Sequence, residues 1–281
     1  MAEPMTDKQA EAAAQVDALV RNALKALEEF RELNQEQVDY IVAKASVAAL
    51  DQHGVLAKHA FDETQRGVVE DKATKNLFAC EHVVNNMRHT KTVGVISEDE
   101  VSGLTLIAEP VGVVCGITPT TNPTSTAIFK SLIALKTRNP IVFAFHPSAQ
   151  ESSKHAAQVV YDAAVAAGAP KHCIQWIEKP SMEATQALMN HDGVATILAT
   201  GGNAMVRAAY SCGKPALGVG AGNVPAYVEK TADIRQAAHD SASSSASSNN
   251  CTCAATKSSI PSLPTSNPTR ISPPCAAVPK S

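Results

Sequence analysis

The stretch VGVVCGITPTTNPTSTAIFKSLIALKTRNPIVFAF, residues 111–145, decides the fold. Its first segment is a β-branched apolar run that stops at Pro119, and a second apolar run, PIVFAF, stops at His146 and Pro147. Short valine- and isoleucine-rich runs bounded by proline read as buried strands. Between them TSTAIFKSLIALKTRN reads as a helix that opens near Pro123. Strand, helix and strand at this spacing form the repeating unit of a parallel sheet.

Working downstream, the alternation continues. SSKHAAQVVYDAAVAAGAP is an alanine-rich helix closed by Gly168 and Pro170. CIQWIEK reads as a strand, SMEATQALMNH as a helix, GVATILAT as a strand and NAMVRAAYSCG as a helix ending at Gly213. ALGVGAGNVPAYVE returns to strand, and TLIAEP, upstream, is one more short strand. The first 90 residues read differently. Val16, Leu19, Val20, Leu27 and Phe30 recur at helical steps, and Asn34 with Gln37 makes a capping-box pattern before Val38, Ile41, Val42 and Ala45. Helical character continues through LAKHAFDETQ and TKNLFACEHVVNNM. The charged segments VEDKATK (69–75) and SEDE (97–100) read as solvated faces and caps. The expectation is an α/β fold: a helical N-terminal region over 1–90, then a mostly parallel sheet over 103–240 with helices on both faces.

At Ser241 the composition changes. Residues 241–281 hold 12 Ser and 6 Pro but no Gly, Asp, Glu or aromatic residue. Such a segment buries too little apolar surface to offset the entropy of ordering, which predicts a disordered tail and a boundary at Asp240. The whole chain has 281 residues, a net charge of −3 and a pI near 6.3. That balance gives no reason to expect nucleic acid or an anionic membrane as partner. No apolar run approaches the roughly 18 residues of a membrane span. MAEPMTDKQAEAAAQ has neither an apolar signal core nor arginine-rich character, so a cytoplasmic protein is expected. Seven cysteines at irregular spacing argue against a disulfide framework. Cys251 and Cys253 form a C-x-C pair with no further ligand at zinc spacing, so no metal site is expected.

Three junctions could carry chemistry. In ITPTTNPTSTAIFKS (117–131) a strand gives way to a helix whose first turn holds Thr124 and Ser125, and its open N–H groups suit an anion or a developing oxyanion. Asn122 could donate its amide to such an oxygen, or could simply belong to an Asn-Pro turn. In LATGGNAMVRAAY, Gly201 and Gly202 could admit a phosphate, or serve a tight turn. GVGAGN (218–223) is not the dinucleotide fingerprint, because Asn223 stands where the last glycine belongs, and it reads equally as a bulge or as a close approach to a bound group. His146, alone at a strand end, reads as structural or solvated.

The runs VEDKATKN, AEPVGVVCGITPTTNPTSTAIFKSLIALKTRN, AAGAPK and LATGGNAMVRAAYSCGKPALGVGAGN together resemble the acylating, coenzyme A-dependent aldehyde dehydrogenases. The nearest likeness is to the N-terminal half of the bifunctional aldehyde–alcohol dehydrogenases of fermentation, from about residue 10 to Asp240. The resemblance implies a cycle in which a cysteine thiolate attacks a small aldehyde, hydride passes to NAD, and coenzyme A cleaves the thioacyl enzyme. It also implies that Ile117, Thr118, Pro119, Thr120, Thr121 and Asn122 line the nicotinamide end, with Asn122 as oxyanion donor. By the same likeness His146 and Pro147 lie near the adenosine ribose, Gly201 and Gly202 near the pyrophosphate, and Gly220 near the nicotinamide. Self-association into a homo-oligomer is implied as well.

Two departures qualify this. Hydrolytic members place a water-activating glutamate in the segment matching LGVGAGN, whereas no carboxylate stands between Ser211 and Tyr227. A thioester there would survive until a thiol arrives, which favours the coenzyme A-dependent branch. The family's nucleophile sits in a segment like S-F-D-N-G-x-x-C-A-S-E-Q. An ungapped count brings that cysteine to Cys253, with Ala254 after it and Asn249 before it, but no Phe, Asp-Asn-Gly or Ser-Glu-Gln is present. A thiol in an unstructured run should titrate near ~8.5, without the lowered pKa a nucleophile needs. The expectation is an inactive or impaired enzyme. The alternatives are a non-catalytic NAD-binding or assembly module, and a related semialdehyde dehydrogenase.

Overall fold

The computed structural model describes residues 7–220, 227–229 and 231–239. Five helices come first: α1 (Asp7–Arg31), α2 (Gln35–Asp51), α3 (His53–Thr64), α4 (Val69–Cys80) and α5 (His82–Met87). The capping box forms as its spacing predicts. Asn34 Oδ1 accepts from the Gln37 N–H at 3.0 Å and Gln37 Oε1 accepts from the Asn34 N–H at 2.9 Å, so two of the orphan donors of α2 are satisfied reciprocally.

Next come β1 (Gly94–Asp99) and β2 (Leu104–Ala108), then β3 (Val113–Ile117), α6 (Pro123–Lys136), β4 (Ile141–Ala144), α7 (Gln150–Ala166), β5 (Ile174–Trp176), α8 (Met182–Asn190), β6 (Val194–Thr200), α9 (Asn203–Ser211) and β7 (Ala216–Val219). A single 3₁₀ turn, Pro147–Ala149, links β4 to α7.

Strands β3 to β7 make one fully parallel sheet in the order β5-β4-β3-β6-β7. The chain winds outward from β3 through β4 to β5, then crosses back beyond β3 to β6 and β7. The order therefore reverses between β3 and β6. In such sheets the crevice at the carboxyl ends of the strands, at this switch point, is where ligands bind.

Around β3 and β4 both faces of the sheet are buried under helices, whereas Leu217 and Val219 of β7 are exposed. On one side Val114, Ile141 and Phe143 join a core with Ile41 of α2, Ile128, Leu132 and Leu135 of α6, and Val160 of α7. On the other, Val113, Cys115, Ile117, Val142 and Ile197 pack with Val16 and Val20 of α1 and Leu188 of α8. Each fully buried aliphatic or aromatic side chain contributes roughly 1.5–3 kcal/mol, so the sheet is clamped from both sides. Gly116 permits the close fit of β3 on β4, because a Cβ there would lie 2.8 Å from Phe143 Cδ1 and 2.9 Å from Ile141 Cδ1.

Two details differ from the sequence reading. TLIAEP does not join the main sheet: β2 pairs antiparallel with β1 in a separate two-stranded ribbon. Part of SEDE belongs to β1, and Asp99 then accepts from the N–H groups of Val101 and Ser102 at 3.0 and 3.3 Å. That carboxylate and Gly103, at φ +69°, reverse the chain within a few residues, which imposes antiparallel pairing. β1 escapes a periodicity reading because nearly all of it is exposed, leaving no apolar face to detect.

The chain comprises two compact units, Met1–Ala221 and Gly222–Ser281. In the second, residues 234–239 are helical, and Asp233 Oδ1 accepts from the Gln236 N–H at 2.9 Å ahead of them. Residues 241–281, read as a disordered tail, and Cys253 within them lie outside the described residues, as does Asn223. Among the described residues no helix is long and apolar enough to cross a membrane.

Candidate functional site

Because the five strands run parallel, their carboxyl ends share one edge, and the described residues of the three junctions and of the β4 end lie there. Thr118–Asn122 follow β3, His146 and Pro147 follow β4, Gly201 and Gly202 follow β6, and Gly220 follows β7. The β3 and β6 junctions flank the switch point directly.

Helix N-termini at this edge present unsatisfied N–H groups and the positive end of a dipole. They are not equivalent. At α7, Glu63 from α3 accepts from the Glu151 and Ser152 N–H groups at 3.0 and 2.8 Å, so that terminus already holds a carboxylate. At α8, Ser181 Oγ accepts from the Ala184 N–H at 3.0 Å. The caps of α6 and α9, Asn122 and Gly202, make no side-chain hydrogen bond into their helices. Among the described residues, the two helices that flank the switch point are the ones at this edge with no such bond from a side chain.

Around α9 the backbone is accessible. A Cβ at Gly201 or at Gly202 would meet nothing within 4 Å. The glycines after β6 and around β7 differ in purpose. A Cβ at Gly218 would strike Val206 Cγ1 at 2.6 Å and Tyr210 Cε2 at 2.9 Å, and one at Gly220 would strike Asn203 Oδ1 at 2.6 Å. Gly218 therefore lets α9 pack onto β7, and Gly220 faces the first residue of α9.

At the β3 junction, Thr118 is buried and its Oγ1 has no hydrogen-bond partner among the described residues. Asn122 is half-buried; its Oδ1 accepts from Lys75 Nζ at 3.1 Å and its Nδ2 lies 3.4 Å from Thr121 Oγ1. An open groove of about 400 Å³ passes beside Asn122, between Lys75, Phe78 and Val83 on one wall and Ser125, Thr126 and Phe129 on the other. His146 caps the 3₁₀ turn by accepting from the Ser148 N–H at 3.1 Å, as a structural strand-end histidine does. Partial burial, then the nearby Arg66 charge, lowers its pKa.

Several residues of the site were not legible in the sequence. VEDKATK is solvated at Glu70, Asp71, Thr74 and Lys75, but not at Lys72. Lys72 is buried and its Nζ donates to the Thr121 carbonyl at 2.8 Å, while Asn76 Oδ1 accepts from Thr124 Oγ1 at 2.9 Å. Lys72, Lys75 and Asn76 stand at helical spacing on one face of α4, a signal that periodicity could have supplied. Lys130 is a lone cation within the apolar helix TAIFKSLIAL, and such a group must find buried partners. Its Nζ donates to the carbonyls of Ile117 and Leu198, each at 2.6 Å, and so ties β3 to β6 beneath the switch point. Burial pushes its pKa down to about 7. Burial also pushes the thiols of Cys80, Cys115 and Cys173 up to about 12, which leaves them inert as nucleophiles.

Similarity to known proteins agrees with this architecture. The chain is 79% identical over 245 residues to the aldehyde-alcohol dehydrogenase of Streptococcus pneumoniae serotype 4, covering 87% of this chain and 28% of that one. It thus spans little more than a quarter of that relative's length. The acetylating aldehyde dehydrogenase from Geobacillus thermoglucosidasius superposes with a TM-score of 0.77 at 46% identity, over 86% of this chain and 53% of the other. An engineered glycolyl-CoA reductase with bound NADP+ superposes with a TM-score of 0.66 at 34% identity, over 82% and 52%. The family model for aldehyde dehydrogenases matches residues 2–260, a range that runs past Asp240 and includes Cys253. The chain belongs to the aldehyde dehydrogenase family.

Proposed function

We propose that this chain binds NAD at the carboxyl edge of its sheet and supplies the oxyanion donor of a coenzyme A-acylating aldehyde dehydrogenase. The reaction is acetaldehyde, coenzyme A and NAD+ to acetyl-CoA, NADH and a proton, in either direction. The observation that carries this reading is the pair of open helix N-termini, α6 and α9, on either side of the switch point. The residues present fit the cofactor. Gly201 and Gly202 leave the α9 backbone open to a pyrophosphate, and Ile117 to Asn122 with Gly220 stand at the edge where the nicotinamide end would lie. NAD, when bound, accepts the hydride. His146 and Pro147, at the end of β4, are the residues for the adenosine ribose.

The chain's own part is to hold the aldehyde oxygen and exclude water's competition. Asn122 presents an amide donor beside the α6 N-terminus, where negative charge on the carbonyl oxygen is stabilised. The absence of a carboxylate between Ser211 and Tyr227 leaves no base there to activate water, so a thioester persists for coenzyme A. The acetylating and CoA-linked relatives support this branch.

Turnover by this chain alone is a separate matter. Cys253 stands at the count of the family's nucleophile without the residues that accompany it, so we expect NAD binding with little acetaldehyde oxidation, as a binding or assembly module would show. Calorimetric titration with NAD tests the first part, and absence of saturable binding would overturn it. Coenzyme A-dependent NADH production from acetaldehyde tests the second. Robust production that disappears in Cys253→Ala would make Cys253 the nucleophile.

A further inference from the structure

We propose that the Lys72, Lys75 and Asn76 face of α4 is the positioning device of the Asn122 amide, with Lys75 deciding which way that amide points. The inference rests on the oxyanion-donor reading of Asn122 given above.

An asparagine at a helix N-cap ordinarily turns its side-chain oxygen onto the N–H of the second or third helical residue. Asn122 does not: it makes no such bond into α6, and its backbone stands at φ −136°, ψ 62°. Its Oδ1 faces α4 instead and accepts from Lys75 Nζ at 3.1 Å. This has two consequences. The first N–H groups of α6 stay free for a ligand, and the amide orientation becomes determinate. An ammonium group donates and never accepts, so only the amide oxygen can face Lys75, and the NH₂ group must face away. One Nδ2 proton is directed at Thr121 Oγ1 across a long 3.4 Å, and the other has no partner among the described residues. A flipped amide would offer oxygen to an oxyanion and repel it. The cation on Oδ1 also polarises the amide and strengthens its N–H as a donor.

The neighbouring contacts keep the loop in register on both sides of Asn122. Lys72 Nζ holds the Thr121 carbonyl at 2.8 Å, and Asn76 holds Thr124 Oγ1 at 2.9 Å. Asn76 is fully buried and anchored in turn through Nδ2 to the His53 carbonyl at 2.9 Å. Three side chains on one face of α4 thus hold residues 121, 122 and 124. Lys75 is the exposed member, so its replacement alters the amide and spares the fold.

The test uses the full chain. Side-chain amide NMR is recorded for the native protein, Lys75→Met and Lys75→Arg, with the Asn122 resonances assigned through Asn122→Asp. The expected result is a clear shift of both Asn122 Nδ2 protons in Lys75→Met and its reversal in Lys75→Arg. Unchanged Asn122 resonances in Lys75→Met overturn the proposal, whether or not the chain turns over. Where turnover is measurable, kcat should fall about tenfold in Lys75→Met, less than the 10²–10³ of losing an oxyanion donor outright. The KM for coenzyme A and the affinity for NAD should stay unchanged, and Lys75→Arg should recover most of the rate. A kcat equal to the native value also overturns it. NAD titration of the native chain separates the two ideas: failure to bind NAD defeats the proposed function, while the amide spectra still decide the positioning role.

Discussion

Lys130 Nζ donates to the carbonyl oxygen of Ile117 at 2.6 Å from a position that is 1% exposed. The same nitrogen reaches the Leu198 carbonyl at 2.6 Å, so one side chain joins the two strands that flank the switch point. A neutral amine keeps two hydrogens, enough to serve both carbonyls without burying a charge. Burial lowers the pKa to about 7 from an ordinary lysine value of 10.5. Between those values the unfolded chain carries a proton here that the folded chain does not. Stability therefore rises with pH across about 7 to 10.5 and is lowest, for this group, below 7. Urea unfolding of the native chain and Lys130→Met at several pH values should show a slope of roughly 1.4 kcal/mol per pH unit that the variant lacks. Parallel slopes would refute it.

Glu63 closes the N-terminus of α7 and should matter to stability alone. Glu63→Ala removes acceptors from the Glu151 and Ser152 N–H groups, a loss of about 1 kcal/mol for a helix cap. NAD affinity should stay within about twofold, because the proposed function places the anion at α6 and α9. A large gain or loss of NAD binding would mean that α7 also meets the cofactor.

Gly202 and Gly218 should separate ligand approach from packing. Gly202→Ala meets open space, so its unfolding midpoint should stay close to native while NAD binding weakens at least about tenfold through lost backbone contact. Gly218→Ala drives a methyl into Val206 and Tyr210 and should cost about 1–3 kcal/mol. Calorimetry and denaturant unfolding of the two variants decide this. The reverse pattern would move the nucleotide from α9 to β7.

Thiol chemistry follows from burial. Cys80, Cys115 and Cys173 are buried with thiols pushed up to about 12, so the folded chain should react with Ellman's reagent at no more than four of its seven cysteines, seven less three. All seven should react in guanidinium. Fast labelling of Cys115 in the folded protein, read by mass spectrometry, would contradict its placement between the sheet and α1.

Much of the fold was legible because the deciding signals are short-range. The run from Val111 to Phe145 carries its own strand period, its own proline stop and its own helix start, and the structure follows each of them. Asn34 and Gln37 stand three residues apart, so their mutual caps could be foreseen. β2 was legible as a strand in TLIAEP, but β1 and its antiparallel pairing were not, because β1 is exposed and leaves no apolar stripe. Within VEDKATK only Lys72 departs from a solvated reading: lysines ordinarily mark solvent, yet Lys72 is buried and its Nζ finds a backbone carbonyl.

The sequence by itself determined the order of strands and helices, the glycines and prolines that break them, and the polar residues at each junction. The change of composition at Ser241 was also written in it. Only the tertiary structure decided which helix N-termini are capped by a distant side chain. Closure of α7 depends on Glu63, 88 residues before Glu151, and the orientation of Asn122 depends on Lys75, 47 residues away. Such partners are set by how α3 and α4 pack beside α6 and α7. Helical period and turn chemistry act over a few residues, whereas a hydrogen bond between distant side chains exists only once burial has brought their helices together.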